Sequence, residues 1–358
     1  MSKRRILTAG LAILTVLALL AGCSSGGGTT GNNTNTAPDS TPDAAPIQDA
    51  PVPLAANVTT IRAAHVLTPD HPYHLGLEKY GELLSAKTNG AIKVEVFHSS
   101  QLGNERDLIE GLQLGTVEMC LVSTAPLAGF TSQFEVFDLP FIFSETQKAR
   151  DILDGPIGQD IMDTLDSQGI VGLCYFENGF RHITNNVRPI NSPDDLKGMK
   201  IRTMESPIHM ASFKAMGSDP TPIAFGEVYT ALQQGVVDGQ ETPYAIIYTS
   251  NFFEVQKYLS ETGHFYAPAP LLMSKAFFDG LDADMQRAVM EAAVESREYE
   301  RGVLDEMNKS LVDQLQEAGM TINSVDKQPF IDVAQSVYEE YGDEIGRDLI
   351  QKIQDAQK

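Results

Sequence analysis

The chain has 358 residues, 42% apolar and 21% charged, which is enough for two domains of ordinary size. Its formal net charge of −22 argues against nucleic acid as a partner, because phosphate binding needs a basic surface. The same acidity disfavours adhesion to anionic lipid and reports a well-hydrated surface.

Residues 1–22 read as a leader rather than as fold. "MSKRR" is basic, and "ILTAGLAILTVLALLA" is a 16-residue apolar run, short for a spanning helix. It ends in Leu20-Ala21-Gly22-Cys23, which resembles the bacterial lipobox and marks Cys23 as the lipidated mature N-terminus. Residues 23–57 are Gly/Ser/Thr/Asn-rich and then Pro/Asp/Ala-rich, with almost nothing to bury, and are expected to act as a disordered tether. "GCSSG" fits the nucleophile-elbow pattern but straddles the cleavage site with no strand before it, so it is discarded.

From Val58 onward two periods alternate. "VTTIRAAHV", "AIKVEVF", "VEMCLVS" and "GIVGLCYF" read as strands, and "YHLGLEKYGELLSAKT", "NERDLIEGLQLG" and "ETQKARDILDG" as amphipathic helices. The α/β pattern restarts after "ENGFR" with a strand at "MKIRT", helices at "SPIHMASFKAMG" and "GEVYTALQQG", and a short strand at "VVDGQ". Ser206 is a fitting N-cap, Pro207 suits the first turn, and Gly217 can close that helix. "GHFYAPAPLLMS" reads as an extended return segment. A long helical stretch follows from Asp282 to Gly319, interrupted only at Gly302, long enough to brace two lobes. "MTINSV" and two closing helices end the chain. Cys120 and Cys174 sit in apolar runs and read as buried thiols.

No P-loop, HExxH, CxxC or dinucleotide fingerprint is present, and no cofactor is expected. His65, His71 and His74 cluster without a carboxylate or thiol companion, so they read as packed or solvated rather than metal-bound. Asp194-Asp195 follows Pro193 and looks like turn chemistry, and Glu339-Glu340 lies on a helix surface. Neither pair suits general acid–base work. Arg181 and Arg202 differ. The chain beyond the leader has only ten arginines, and these two fall on adjacent extended elements where the second α/β set begins. An arginine fork matches a carboxylate through two parallel hydrogen bonds, so the pair makes a plausible anion cradle. The competing reading is an internal salt bridge, for example with Glu205 or Glu241. Periodicity alone leaves the two open.

Residues 60–345 resemble the substrate-binding proteins of tripartite ATP-independent periplasmic (TRAP) transporters, of the C4-dicarboxylate-binding type. The resemblance rests on "SSQLGNERDLIEGLQLGTVEM", "FDLPFIF", "NGFRHITN", "DLKGMKIRTMESPIHMASFKAMGSDPTPIAFGEVYTALQQGVVDGQETP" and "FFEVQKYLSETGH", in that order and spacing. It implies a two-lobed α/β periplasmic solute-binding fold with a mixed sheet in each lobe, crossing strands and a long helix spanning both. The expected division is residues 58–178 plus 268–307 for one lobe and 179–267 plus 308–358 for the other. It further implies that Arg202 clamps a ligand carboxylate, that Arg181 assists and that Phe225 packs on the ligand. Glu241 and Thr242 of the "DGQET" turn then line the cleft, with His65, Asn104, Glu105 and Ser123 on the opposite wall. Thr242 stands where the family often has Asn, and Pro126 where sialic-acid binders tend to carry an arginine. Both departures argue against a direct transfer of sialic-acid or plain C4-dicarboxylate specificity; a monocarboxylate with hydroxyls, a sugar acid or a polar zwitterion fits as well, and the sequence does not choose among the organic acids.

The implied role is non-enzymatic. An exported, lipid-anchored monomer facing the periplasm or cell exterior captures a small organic acid and delivers it to the TRAP membrane subunits, with no nucleic-acid partner and no metal. Two other classes compete: a lipoprotein that presents a bound solute to a membrane receptor, and an exported α/β enzyme, for which no nucleophile–base pair is visible.

Overall fold

A computed structural model describes residues 58–358. The leader, the tether and Cys23 lie outside the described residues. Eleven strands are described: β1 (Thr59–Ala64), β2 (Ile92–Phe97), β3 (Met119–Leu121), β4 (Ile170–Phe180), β5 (His182–Asn185), β6 (Lys200–Thr203), β7 (Asp219–Pro222), β8 (Gly239–Thr242), β9 (Tyr258–Glu261), β10 (Tyr266–Ser274) and β11 (Thr321–Ser324). They form two mixed sheets, ordered β2-β1-β3-β10-β4 and β11-β9-β5-β8-β6-β7. In the first, β1 runs parallel to β2 and β3, and β10 runs antiparallel to β3 and β4. In the second, β5 is antiparallel to β8 and β9, and β6 is parallel to β7 and β8. These are the two α/β lobes.

Two strand-to-strand passages join the lobes, and a third runs through the long helix Ala283–Glu317 into β11. β4 leaves the first sheet at Phe180 and resumes in the second as β5, with Arg181 between them. β9 leaves the second sheet and returns through Phe265 as β10. The two strand passages touch where the Arg181 N–H donates to the Phe265 carbonyl at 2.9 Å, next to the Tyr266–Phe180 pairing. Arg181 is therefore placed by the backbone at the crossing itself.

Local chemistry sets the helices that face the cleft. Helix Glu105–Leu114 opens on a capping box between Asn104 and Asp107 and closes at Gly115, whose φ is 68°. Helix Pro207–Ala215 starts at Ser206, whose side chain accepts from the His209 N–H. Helix Ala283–Glu317 is 35 residues long, about 52 Å at 1.5 Å per residue. It packs along helix Pro72–Lys87 and β4 of the first lobe and along helix Tyr244–Thr249 and β11 of the second.

Two expectations change. Gly302 does not interrupt the long helix, because Glu300, Arg301 and Leu304 around it are buried and fix its path. The strand expected at "VVDGQ" begins later, at Gly239, so Glu241 and Thr242 are strand residues rather than turn residues. Gly239 is required there, since a Cβ would stand 2.2 Å from the Thr184 carbonyl of the neighbouring strand. Cys120 and Cys174 are free buried thiols, held apart by β10, which pairs with both of their strands.

Candidate functional site

Arg202 sits in the middle of β6 and Glu241 in β8, with Arg202 in register with Gln240 and Glu241 opposite Ile183 of β5. This brings two buried guanidinium groups, Arg181 and Arg202, to one end of the second sheet. Their surroundings differ. Arg181 meets Glu241 in a fork: Nε donates to Oε2 at 2.5 Å and Nη2 to Oε1 at 2.8 Å, and Nη2 also donates to the Glu241 carbonyl at 2.8 Å. His264 Nε2 stands 3.2 Å from the same carboxylate. Burial, the largest single influence, pushes Glu241 up, but the adjacent Arg181 charge together with the hydrogen bonds from His264 and Arg181 outweighs it and holds the carboxyl well below the usual range. Burial likewise opposes the charge on Arg181, and Glu241 reverses the effect, raising it.

Arg202 donates from Nε to the Ile223 carbonyl at 2.8 Å, and among the described residues no carboxylate lies within 4.0 Å of it. Burial therefore dominates and pulls its pKa down to about 10; the Glu241 charge opposes this and the Arg181 charge adds to it. A buried guanidinium without its own anion is costly, so this site favours an incoming negative charge.

Arg202 faces a small, tightly closed cavity of about 10 Å³ between the lobes. The first lobe contributes Val66, Leu67, Tyr73, Glu105, Ser123 and Asn178; the second contributes Arg181, Arg202, Met204, Phe225, Thr242 and Ile246. Glu105 Oε1 accepts from the Ser123 N–H at 2.6 Å; burial raises its pKa while that hydrogen bond opposes the rise. The Tyr73 hydroxyl and Asn178 Oδ1 are buried and have no hydrogen-bond partner among the described residues. Asn178 Nδ2 donates to Ser123 Oγ at 3.4 Å. Polar lining with unsatisfied groups and an unpaired cation is what a polar anionic ligand needs. A wider, solvent-open hollow of about 460 Å³ lies behind the crossing strands beside Phe180, Tyr244 and Lys327. Its acids are engaged, Glu177 with Arg150 and Glu261 with Tyr244 and Ser324, and it offers no comparable clamp.

Of the residues singled out from sequence, Arg202, Arg181, Phe225, Thr242, Glu105 and Ser123 line the cavity. Glu241 lies behind it, on Arg181, and neither it nor Glu205 forms a salt bridge with Arg202. His65 is turned inward: its Nε2 is 3.1 Å from His74 Nδ1, and its Nδ1 accepts from the Leu67 N–H, so it supports the wall rather than facing the cavity. Asn104 joins the lobes, its Oδ1 accepting from the Gly226 N–H at 3.3 Å. Pro126 lies in a separate groove with Arg106 and Glu205. Sequence reasoning missed Tyr73 in this role, because a tyrosine in a first helical turn reads as core. It also assigned Asn178 to the lobe boundary alone.

Residues 63–344 match the model of the bacterial extracellular solute-binding protein family 7, DctP. The 2,3-diketo-L-gulonate-binding periplasmic protein YiaO of Escherichia coli K12 is 37% identical over 274 residues, covering 76% of this chain and 84% of its own. A TRAP periplasmic solute-binding protein from Bordetella, with density attributed to pantoate, superposes with a TM-score of 0.82 at 41% identity, covering 84% of this chain and all of its own. A second, from Polaromonas sp. JS666 and bound to D-erythronate, gives 0.81 at 38%, covering 83% and 98%.

Proposed function

The chain belongs to the bacterial extracellular solute-binding protein family 7, a non-catalytic class, and we propose that it captures a small hydroxylated monocarboxylic acid and delivers it to a TRAP membrane permease. The observation that carries the reading is the buried Arg202 guanidinium with no carboxylate within 4.0 Å among the described residues. A ligand carboxylate would complete it through a two-point hydrogen-bonded pair. Glu241 neutralises Arg181, so a second ligand carboxylate would find no spare cation on the cavity wall, and the Glu105 carboxyl would oppose it. Tyr73, Asn178, Ser123 and Thr242 suit hydroxyl groups instead. The three relatives described above are associated with 2,3-diketo-L-gulonate, pantoate and D-erythronate, each a monocarboxylate bearing hydroxyls.

Closure would turn about Asn178–Gly179 and the return segment 264–270, shutting water out and strengthening the ion pair. A ligand drives closure only by binding the closed state more tightly than the open one. Cys23 would anchor the chain to a membrane through its lipid, with residues 23–57 as the leash and the monomer as the working unit.

The test is a thermal-shift screen of the mature chain against pantoate, D-erythronate, 2,3-diketo-L-gulonate and succinate, with Arg202→Ala beside it. A ligand at 100 times its dissociation constant stabilises by about 2.7 kcal/mol, a visible shift. A hydroxy acid that shifts the wild type and not Arg202→Ala supports the reading. No shift with any acid sinks it.

A further inference from the structure

Two sequence signatures take no direct part in the cavity: "FDLPFIF" at 137–143 and "ESPIH" at 205–209. The fold brings them together. By its aromatic packing the first belongs to the first lobe, with Phe137 on Tyr175 and Phe143 on Tyr266. Its middle nevertheless grips the second lobe. Asp138 Oδ2 accepts from Ser206 Oγ at 2.9 Å, and Oδ1 stands 3.6 Å from His209 Nε2. The Phe141 N–H donates to the His264 carbonyl at 2.8 Å, and the Phe141 side chain packs against the second lobe's own cluster around Phe213 and Phe265. The Pro140 carbonyl accepts from the Tyr338 hydroxyl at 2.8 Å.

Phe141 holds a φ of 59°, a left-handed conformation that a bulky residue adopts only where its surroundings impose it. The place of these contacts gives the strain a purpose. The Phe141–His264 hydrogen bond lies one residue from the Arg181–Phe265 contact where the chain passages cross. A tie beside the crossing lies near the axis of lobe rotation, where closure displaces atoms least. Asn104–Gly226, by contrast, joins two helix starts away from both passages. His209 extends the tie inward: its ring stacks on Phe265 at 4.1 Å, and Nδ1 stands 3.8 Å from Glu241 Oε1, the acid that holds Arg181.

We propose that residues 138–142 form a non-covalent pivot between the lobes, and that Asp138 and His209 are positioning residues through which it seats the Arg181–Glu241 pair. The pivot keeps its contacts in both open and closed states. This rests on the reading that the lobes close on a ligand, and the experiment separates the two.

Paired spin labels measure both regions in the mature chain carrying Cys23→Ser; the native thiols Cys120 and Cys174 are buried and stay unlabelled. One pair, Glu145→Cys with Glu339→Cys, spans the pivot. The other, Glu110→Cys with Glu227→Cys, spans the cleft. D-erythronate, pantoate and 2,3-diketo-L-gulonate serve as probes. The pivot pair should give one narrow distance that an acid leaves unchanged within about 2 Å, while the cleft pair shortens by more. Without ligand, Asp138→Asn, which keeps size and shape, and Phe141→Gly, which relieves the positive φ but removes the ring, should broaden the pivot distance. His209→Gln should speed acid release about tenfold with the association rate within about twofold, which a purely structural loss of folded protein would not do. A pivot distance that moves with the cleft distance, or that stays narrow in both Asp138→Asn and Phe141→Gly, overturns the proposal. If no acid shortens the cleft pair, the ligand reading falls, and the ligand-free comparison of the variants still decides the pivot.

Discussion

Arg181 and Arg202 meet at one end of the second sheet, both 2% exposed, and the chain treats them in opposite ways. Arg181 has a carboxylate on two of its nitrogens and a carbonyl besides. Arg202 has one carbonyl. Identical side chains at equal burial thus differ by what the neighbouring strand supplies: β8 presents Glu241 toward Arg181 and leaves Arg202 facing the cavity. Burial does not distinguish a structural arginine from a binding one; the inventory of its partners does.

That contrast can be broken from either side. Arg181→Ala should lower the ligand-free unfolding free energy by about 3–5 kcal/mol, because it strands Glu241 as a buried unpaired charge; urea denaturation reads this directly. Arg202→Ala should do the reverse, leaving ligand-free stability unchanged or higher while weakening acid binding by about 2–5 kcal/mol in titration calorimetry. If Arg202→Ala proves the more destabilising of the two without ligand, the distinction is wrong.

A pH titration sharpens the comparison. Arg202 has a folded pKa of about 10, below its ordinary 12.5. A base depressed on folding favours the folded state at high pH, above the unfolded value, and that contribution is lost as pH falls through about 10. At neutral pH the protein therefore bears the cost of keeping Arg202 charged, and the ligand relieves it. Acid affinity should accordingly decline as pH rises through about 10, whereas the Arg181–Glu241 pair, with Arg181 raised, should hold together across that range. The smallest effect belongs to the opposite wall: Tyr73→Phe should cost about 1 kcal/mol of affinity for a hydroxy acid, by loss of one hydrogen bond, and nothing for an acid lacking hydroxyls.

Much of this was legible before any coordinates. Alternating periods gave the α/β class, and the cap at Ser206 placed one cleft-facing helix where it lies. Arg202 stood out as a fixed charge inside a packable segment. Its partner could not be read, because choosing between Glu205, Glu241 and a ligand depends on which side chains β8 points at β6. That register follows from Gly239 passing close to Thr184, a contact 55 residues away in sequence. Tyr73 was hidden for a related reason: a hydroxyl left without a partner is a property of the assembled cavity. Short strands such as β7, "DPTP", carry little period-two signal and were missed altogether.

The position of β10 has a consequence for how the chain comes to be folded. It lies inside the first sheet, between β3 and β4, yet it is the last of that sheet's strands in sequence. Joining it to β4 closes a loop that contains β5 through β9, so the first lobe cannot fill the place between β3 and β4 until most of the second has been made. Long loops are expensive to close before their contacts exist, and such topologies fold slowly. A chain emerging from its N-terminus would hold β3 and β4 with unpaired edges until residue 274 had followed, and an open edge is an invitation to foreign strands. Folding helpers, if this protein uses them, would be needed most during that interval, and truncations ending before Ser274 should aggregate rather than yield an isolated first lobe.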